Sequence, residues 1–363
     1  MLGTTIGVGM FGLPYVFYQV GFGLGFVEFV LIGALNALAL CLYAELVLAR
    51  KKHAHFVEVI GAELGFWGRL WATVSFFATM WGAMVAYIIV SASFIGLITG
   101  ADPSVVISLL FAALASLVLA GGVAMMLRIQ SIVFPVFFAL IAVLLLASFS
   151  HFELEHFTTV HFENAVVPLG VMLFAVSGLS AVPEVRDALG KRDRLLFKVI
   201  VAGMGIAMTV FLAFVIAILA FNGGDMSPDG ISGIVRTAGR PLAIVAASVG
   251  TLVVFSAFVT IGTSILNTFM YDFSMRFSHA WLATVGVPIA IFILGARDFI
   301  DVIGSVGGVL GGVSGLLILF AYEKARRSGE LPKRALRVPR AATFLCFVLY
   351  AAMIVLTLMG VGE

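Results

Sequence analysis

Gly3-Thr4-Thr5-Ile6-Gly7-Val8-Gly9-Met10-Phe11-Gly12-Leu13-Pro14-Tyr15 stands at the start of the chain, and Leu173-Phe174-Ala175-Val176-Ser177-Gly178-Leu179-Ser180-Ala181-Val182-Pro183-Glu184 follows near its middle. Both stretches are apolar, and in both a glycine sits five residues before a proline: Gly9 to Pro14, and Gly178 to Pro183. In a helix interior Gly costs about 1 kcal/mol relative to Ala, and Pro about 3. The two stretches therefore predict helices that lose their winding part-way. In lipid such a gap is tolerated only where the freed peptide groups line a cavity.

The rest of the sequence supplies the lipid argument. Of 363 residues, 62% are hydrophobic and only 11% are Asp, Glu, Lys or Arg, with a mean hydropathy of +1.17. A soluble domain carries roughly a quarter charged residues, so water-soluble domains, disorder and nucleic-acid binding are excluded. Apolar blocks of helix-spanning length, about 20 residues, fall near 1–19, 24–49, 69–98, 104–126, 129–149, 165–189, 195–221, 242–274, 278–295, 302–322 and 341–360. The expected fold is an all-α polytopic membrane protein with about eleven transmembrane helices. The blocks are too long, and too free of alternation, for a sheet barrel. Cys41 and Cys346 lie inside apolar blocks and form neither a disulfide framework nor a metal motif.

The loops orient the spans. If the first span exits outward, all but three of the 21 Lys and Arg fall on the inside, and Arg236, Arg240 and Arg297 remain outside. Such a bias is the positive-inside pattern, and it puts the C-terminal Glu363 outside. Residues 50–68 suit a short amphipathic helix on the inner surface, 222–240 an external loop with a short helix around 229–238, and 324–340 a basic cytoplasmic linker or a lipid- or partner-binding run.

The interrupted spans are the first and the sixth, corresponding members of two five-span halves that must insert with opposite orientation. Such pairs point to the binding site of a secondary transporter. Close helix packing through glycine is the competing reading.

GTTIGVGMFGLPY (3–15) resembles the first-helix signature of the aromatic and hydroxy amino acid permeases, the tryptophan/tyrosine permease type, within the amino acid–polyamine–organocation superfamily. Leu42-Tyr43-Ala44-Glu45-Leu46, Ala86-Tyr87-Ile88 and LFAVSGLSAVPE (173–184) support the likeness, which runs in span order over essentially the whole chain. The resemblance implies a LeuT-like five-plus-five inverted repeat with discontinuous helices 1 and 6. One transporter domain would cover 1–363: a first repeat over 1–149, a second over 165–322, and an extra helix over 341–360. Relatives carry a half-helix ahead of the GTTIG turn. Here the first half of helix 1 is missing ahead of that turn, so the expectation is an in-frame apolar segment upstream of Met1.

The expected function is secondary active transport of an amino acid, aromatic or otherwise neutral, by cation symport with alternating access. No enzyme motif occurs, and the expectation is that the chain is not an enzyme. A sensor or a passive facilitator of the same fold is the alternative. The expected location is a prokaryotic inner (plasma) membrane, with amino acid and lipid as partners.

A zwitterionic substrate would set its carboxylate on backbone N–H groups around Thr4, Thr5, Ile6, Gly7, Val8 and Gly9. Its ammonium would meet carbonyls and hydroxyls near Ser177, Gly178 and Ser180. Both charges are then met without a buried formal charge. Thr4, Thr5 and Ser177 are equally readable as hydroxyls bonded to their own helix. The third and sixth spans, with the eighth as a further contributor, would form the pocket for the substrate side chain; the third offers Trp81, Gly82 and Tyr87, Tyr87 being favoured by the resemblance. No organic cofactor is expected; Na⁺ or H⁺ would be the coupling ion. For Na⁺ the resemblance points to Thr263 and Ser264, and helix packing is the plain alternative. For H⁺ the intramembrane carboxylates Glu184 and Glu45 are available, unless both lie at the inner interface. Asp272 and His279 are expected to be solvated. His151, His156 and His161 share a loop with three glutamates, but their five-residue spacing does not put them on one helical face, so no metal site is expected.

Overall fold

The structure is a computed structural model that describes residues 5–50, 55–190, 192–221, 226–331 and 338–360, with the side chains of residues 155, 156 and 272 left aside. Thr4, Lys51, Lys52, Lys191, Lys333, Arg334, Arg337 and Glu363 lie outside the described residues, as does the start of the first span.

Every extended element is helical. In chain order we label α1 Gly9–Val20, α2 Phe22–Ala49, α3 Phe56–Thr99, α4 Val105–Leu119, α5 Gly122–Ser148, α6 Val167–Ala175, α7 Ala181–Leu189, α8 Leu196–Phe221, α9 Arg240–Asn267, α10 Phe277–Ile293, α11 Phe299–Ser305, α12 Gly312–Ser328 and α13 Arg340–Gly360. Wide π turns, Thr268–Asp272 and Val306–Gly311, extend α9 and join α11 to α12. Among the described residues seven helices are long and apolar enough to cross a membrane; α4 and α10 are apolar but shorter. The lateral surface is apolar: Leu110, Leu114 and Leu117 on α4, and Phe344, Leu345 and Leu358 on α13, are all exposed. A soluble protein could not carry such a surface.

Local chemistry sets the ends. Ser104 caps α4 by accepting from the Ile107 amide, and Asp298 caps α11 by accepting from the Asp301 amide. The expected surface helix appears as 56–64. It is not separate, because the chain turns at Gly65 (φ 74°, ψ −155°) and runs on to Thr99. That conformation is open essentially to glycine alone. The fourth and fifth spans part at Ala120 and Gly121, not after 126, so Arg128 sits two turns inside α5. Between 222 and 240 the short helical turns are Ser232–Ile234 and Val235–Ala238.

The core brings the interrupted helices to the centre. Phe11 of α1 meets Phe94 of α3 and Phe214 of α8 edge-on, with ring centroids 5.0 and 5.8 Å apart. α6 approaches the α11–α12 junction so closely that a Cβ on Gly307 would lie 2.0 Å from the Gly170 carbonyl oxygen, and one on Gly170 2.2 Å from that of Gly304.

Candidate functional site

Residues 6–8 and 176–180 are not helical. At the first gap, the Met10 and Phe11 amides bond to the Gly7 and Val8 carbonyls at 3.4 and 3.0 Å. At the second, Val176 and Ser177 donate to Met172 and Phe174, and Ala181 and Val182 to Gly178 and Leu179. The gaps face one another. A Cβ on Gly9 would lie 2.7 Å from Ala175 Cα, so the two backbones touch there.

Between the gaps is a cavity of about 50 Å³ lined by Thr5, Gly7, Val8, Gly9, Tyr87, Ala175, Ser177, Gly178 and Ser180 from the expected set and its neighbours. Space of that size holds a few waters. Thr4 is outside the described residues. α3 completes the wall with Thr79, Met80 and Ala83; Phe174, Leu179 and Ile261 close the rest. Thr79, Ala83 and Tyr87 recur every four residues, one face of a helix, and that spacing was available in the sequence. Tyr87 is buried, its hydroxyl lies 3.0 Å from where a Gly7 Cβ would be, and it takes a hydrogen bond from the Val8 backbone.

The other third-span candidates are elsewhere. Trp81 packs on Phe77 and Phe269, with ring centroids 5.4 and 6.2 Å away. Gly82 admits Val306, whose Cγ2 lies 2.3 Å from the position of an added Cβ. Neither lines the cavity.

Two larger cavities lie outside this centre. One, of about 710 Å³, is lined by Tyr15, Tyr18, Gln19, Ser232, Val235 and Arg236. The other, of about 610 Å³, is lined by His55, Glu184, Thr260, Thr263, Ser264 and Asn267, among others. Three of the four coupling candidates thus share one cavity. Within it Thr263 donates to the Val259 carbonyl at 2.7 Å, and Gln130 donates to Thr260 at 2.8 Å. Glu45 is not there. It is fully buried on α2, one turn before the end of that helix, within electrostatic reach of Tyr322 of α12.

Two polar contacts that the sequence did not announce brace the second gap. Buried Asn36 of α2 donates to the Val176 carbonyl at 2.7 Å. Arg186 of α7, 7% exposed, donates to the Val47 and Arg50 carbonyls at the end of α2. Arg50 in turn pairs with Glu63 and Glu330. Among the described residues no group of three or more His, Cys, Asp or Glu could hold a metal. His161 pairs with Glu163 at 3.3 Å, the His151 ring packs at a tilt against Phe221, and His279 is exposed.

Among solved structures, that of MhsT in complex with L-phenylalanine, a LeuT-fold transporter, is similar at a TM-score of 0.69 and 15% identity. The match covers 99% of this chain and 95% of that one. It shows the fold. A search of curated proteins found no match. The tryptophan/tyrosine permease family profile matches residues 1–359. The chain therefore belongs to the tryptophan/tyrosine permease family, and is an integral membrane permease, not an enzyme.

Proposed function

We propose that the protein is a secondary active transporter that carries an aromatic amino acid by cation symport with alternating access. The observation that carries this reading is the backbone contact of Gly9 with Ala175, which turns two unwound helices toward one small cavity. The Val8 amide is committed to Tyr87, which leaves the Gly7 and Gly9 amides at the start of α1 for the substrate carboxylate, where the helix dipole also favours a negative charge. The Thr5 hydroxyl borders the same cavity. The ammonium goes to the carbonyls of Ala175 and Ser177 and the hydroxyls of Ser177 and Ser180, beside Gly178. No formal charge of the protein is needed.

The cavity lined by Glu184, Thr263 and Ser264 supplies the coupling ion, Na⁺ or H⁺, and Glu45 stands apart from it. Eleven spans arranged as two inverted repeats, 1–149 and 165–322, with 341–360 added, complete the reading. The cavity bearing Glu184 opens to the cytoplasm of a prokaryotic cell, and the C-terminus lies outside; lipid covers the apolar lateral surface.

The test is uptake of labelled L-tryptophan and L-tyrosine into proteoliposomes under an imposed Na⁺ or pH gradient. Accumulation above the external concentration, abolished by the matching ionophore, is expected. Loss of coupling in E184Q would assign H⁺, and loss in T263A would assign Na⁺. Equilibration without accumulation would make the protein a facilitator, and binding without uptake a sensor; either result rejects symport.

A further inference from the structure

Behind the cavity between the gaps lies another, of about 30 Å³. The two share a partition made by Thr79, Met80, Ser177, Gly178 and Leu179. Resting on the transport reading above, we infer that this rear compartment receives the substrate's aromatic side chain, with Asn36 and Tyr350 at its far end reading a hydrogen-bond donor on the ring.

The central cavity takes little more than the charged end of an amino acid, and the rear compartment as it stands is smaller still, so the ring fits only by displacing the partition between the two. Ala83 of α3, Phe174 of α6 and Ile261 of α9 also line the central cavity, none with a polar side-chain atom. Towards the rear compartment the partition is slight. Gly178 has no side chain, and Met80 is an unbranched thioether chain that changes shape cheaply. Beyond it the walls are Leu40, Phe76, Leu173 and Ile318, suited to an aromatic ring.

The polar atoms are placed for its tip. Asn36 spends one amide hydrogen on Val176 at 2.7 Å. Among the described residues its carbonyl oxygen has only the Tyr350 hydroxyl, at 3.4 Å, long for an O–H···O bond. That oxygen therefore keeps acceptor capacity, and an indole N–H or a phenol O–H suits it. Serine and threonine in these helices ordinarily bond back to a carbonyl one turn earlier, as Ser91, Thr251, Thr263 and Thr284 do. Thr79, between the two compartments, does not: its hydroxyl is buried with no partner among the described residues. Gly315 permits the arrangement, since a Cβ there would lie 2.5 Å from the Tyr350 ring.

The test is competition by unlabelled L-tryptophan, L-tyrosine, L-phenylalanine and L-alanine for labelled uptake into proteoliposomes. Wild type should prefer tryptophan or tyrosine over phenylalanine by about tenfold, the worth of one buried hydrogen bond. The preference should fall to about twofold or less in Tyr350→Phe and Asn36→Leu. Ser314→Leu, which fills the compartment, should weaken aromatic competitors more than alanine. If Asn36→Leu does not insert, Tyr350→Phe and Ser314→Leu decide. A wild-type ratio near one, or a uniform loss with the ratio kept, overturns the assignment and leaves Asn36 as a brace for Val176. Absence of any aromatic uptake by wild type instead rejects the transport reading beneath it.

Discussion

The two helix gaps are built by opposite means. The first, at 6–8, exists because side chains are missing. Gly9 lets α1 touch Ala175, Gly7 leaves room for the Tyr87 hydroxyl, and the turn closes through its own peptide bonds. The second, at 176–180, exists because a side chain is present. Asn36 reaches in from α2 and takes the Val176 carbonyl that a continuous helix would have used. Sequence symmetry between the Gly–Pro pairs thus hides a physical asymmetry: one gap fails when atoms are added, the other when they are taken away.

Substitutions sharpen or break that contrast. The largest effect is expected from Gly178→Leu, which puts a bulky side chain at a position that lines both compartments. Uptake should be abolished while the purified protein still elutes as a single species in detergent; wild-type rates would remove Gly178 from the site. Next is Gly9→Ala. A single methyl group would stand 2.7 Å from Ala175 Cα, and overpacking of this kind costs about 1–3 kcal/mol. Uptake should fall tenfold to a hundredfold, and an unchanged rate would mean that the gaps need not touch during transport. The smallest is Tyr87→Phe, which removes one hydroxyl and its Val8 contact and keeps the ring in the wall. A net hydrogen bond is worth about 1 kcal/mol, so KM should rise about fivefold, with the maximal rate little altered. A loss of maximal rate at constant KM would instead place Tyr87 in the conformational step.

Much of the architecture was legible because glycine, proline and charge mark it locally. The gaps at 6–8 and 176–180 are marked in the sequence by Gly9, Pro14, Gly178 and Pro183, and most helix limits by the charged islands. The boundary at Gly121 is unmarked in the sequence because Ala120-Gly121-Gly122 carries no polar residue, whereas Arg128, the nearest charge, sits inside the next helix. Long-range partners were not legible at all. Asn36 stands out as a polar residue in an apolar run, but nothing ties it to a carbonyl 140 positions away. Glu45 and Glu184 look alike as intramembrane carboxylates, and only packing puts Glu184 on a cavity with Thr263 and seals Glu45 in the interior. Trp81 and Tyr87 likewise differ only in which helix faces them.

The fixtures on either side of the second gap carry a mechanical consequence. Above it, α6 is pressed peptide to peptide against Gly304 and Gly307; below it, the Arg186 guanidinium lashes α7 to the end of α2. Neither fragment can swivel freely against its own neighbour, so torsion between them concentrates in residues 176–180. The sixth span is then jointed at 176–180, where Asn36 holds the Val176 carbonyl, and a change in that contact would alter the stiffness of the joint.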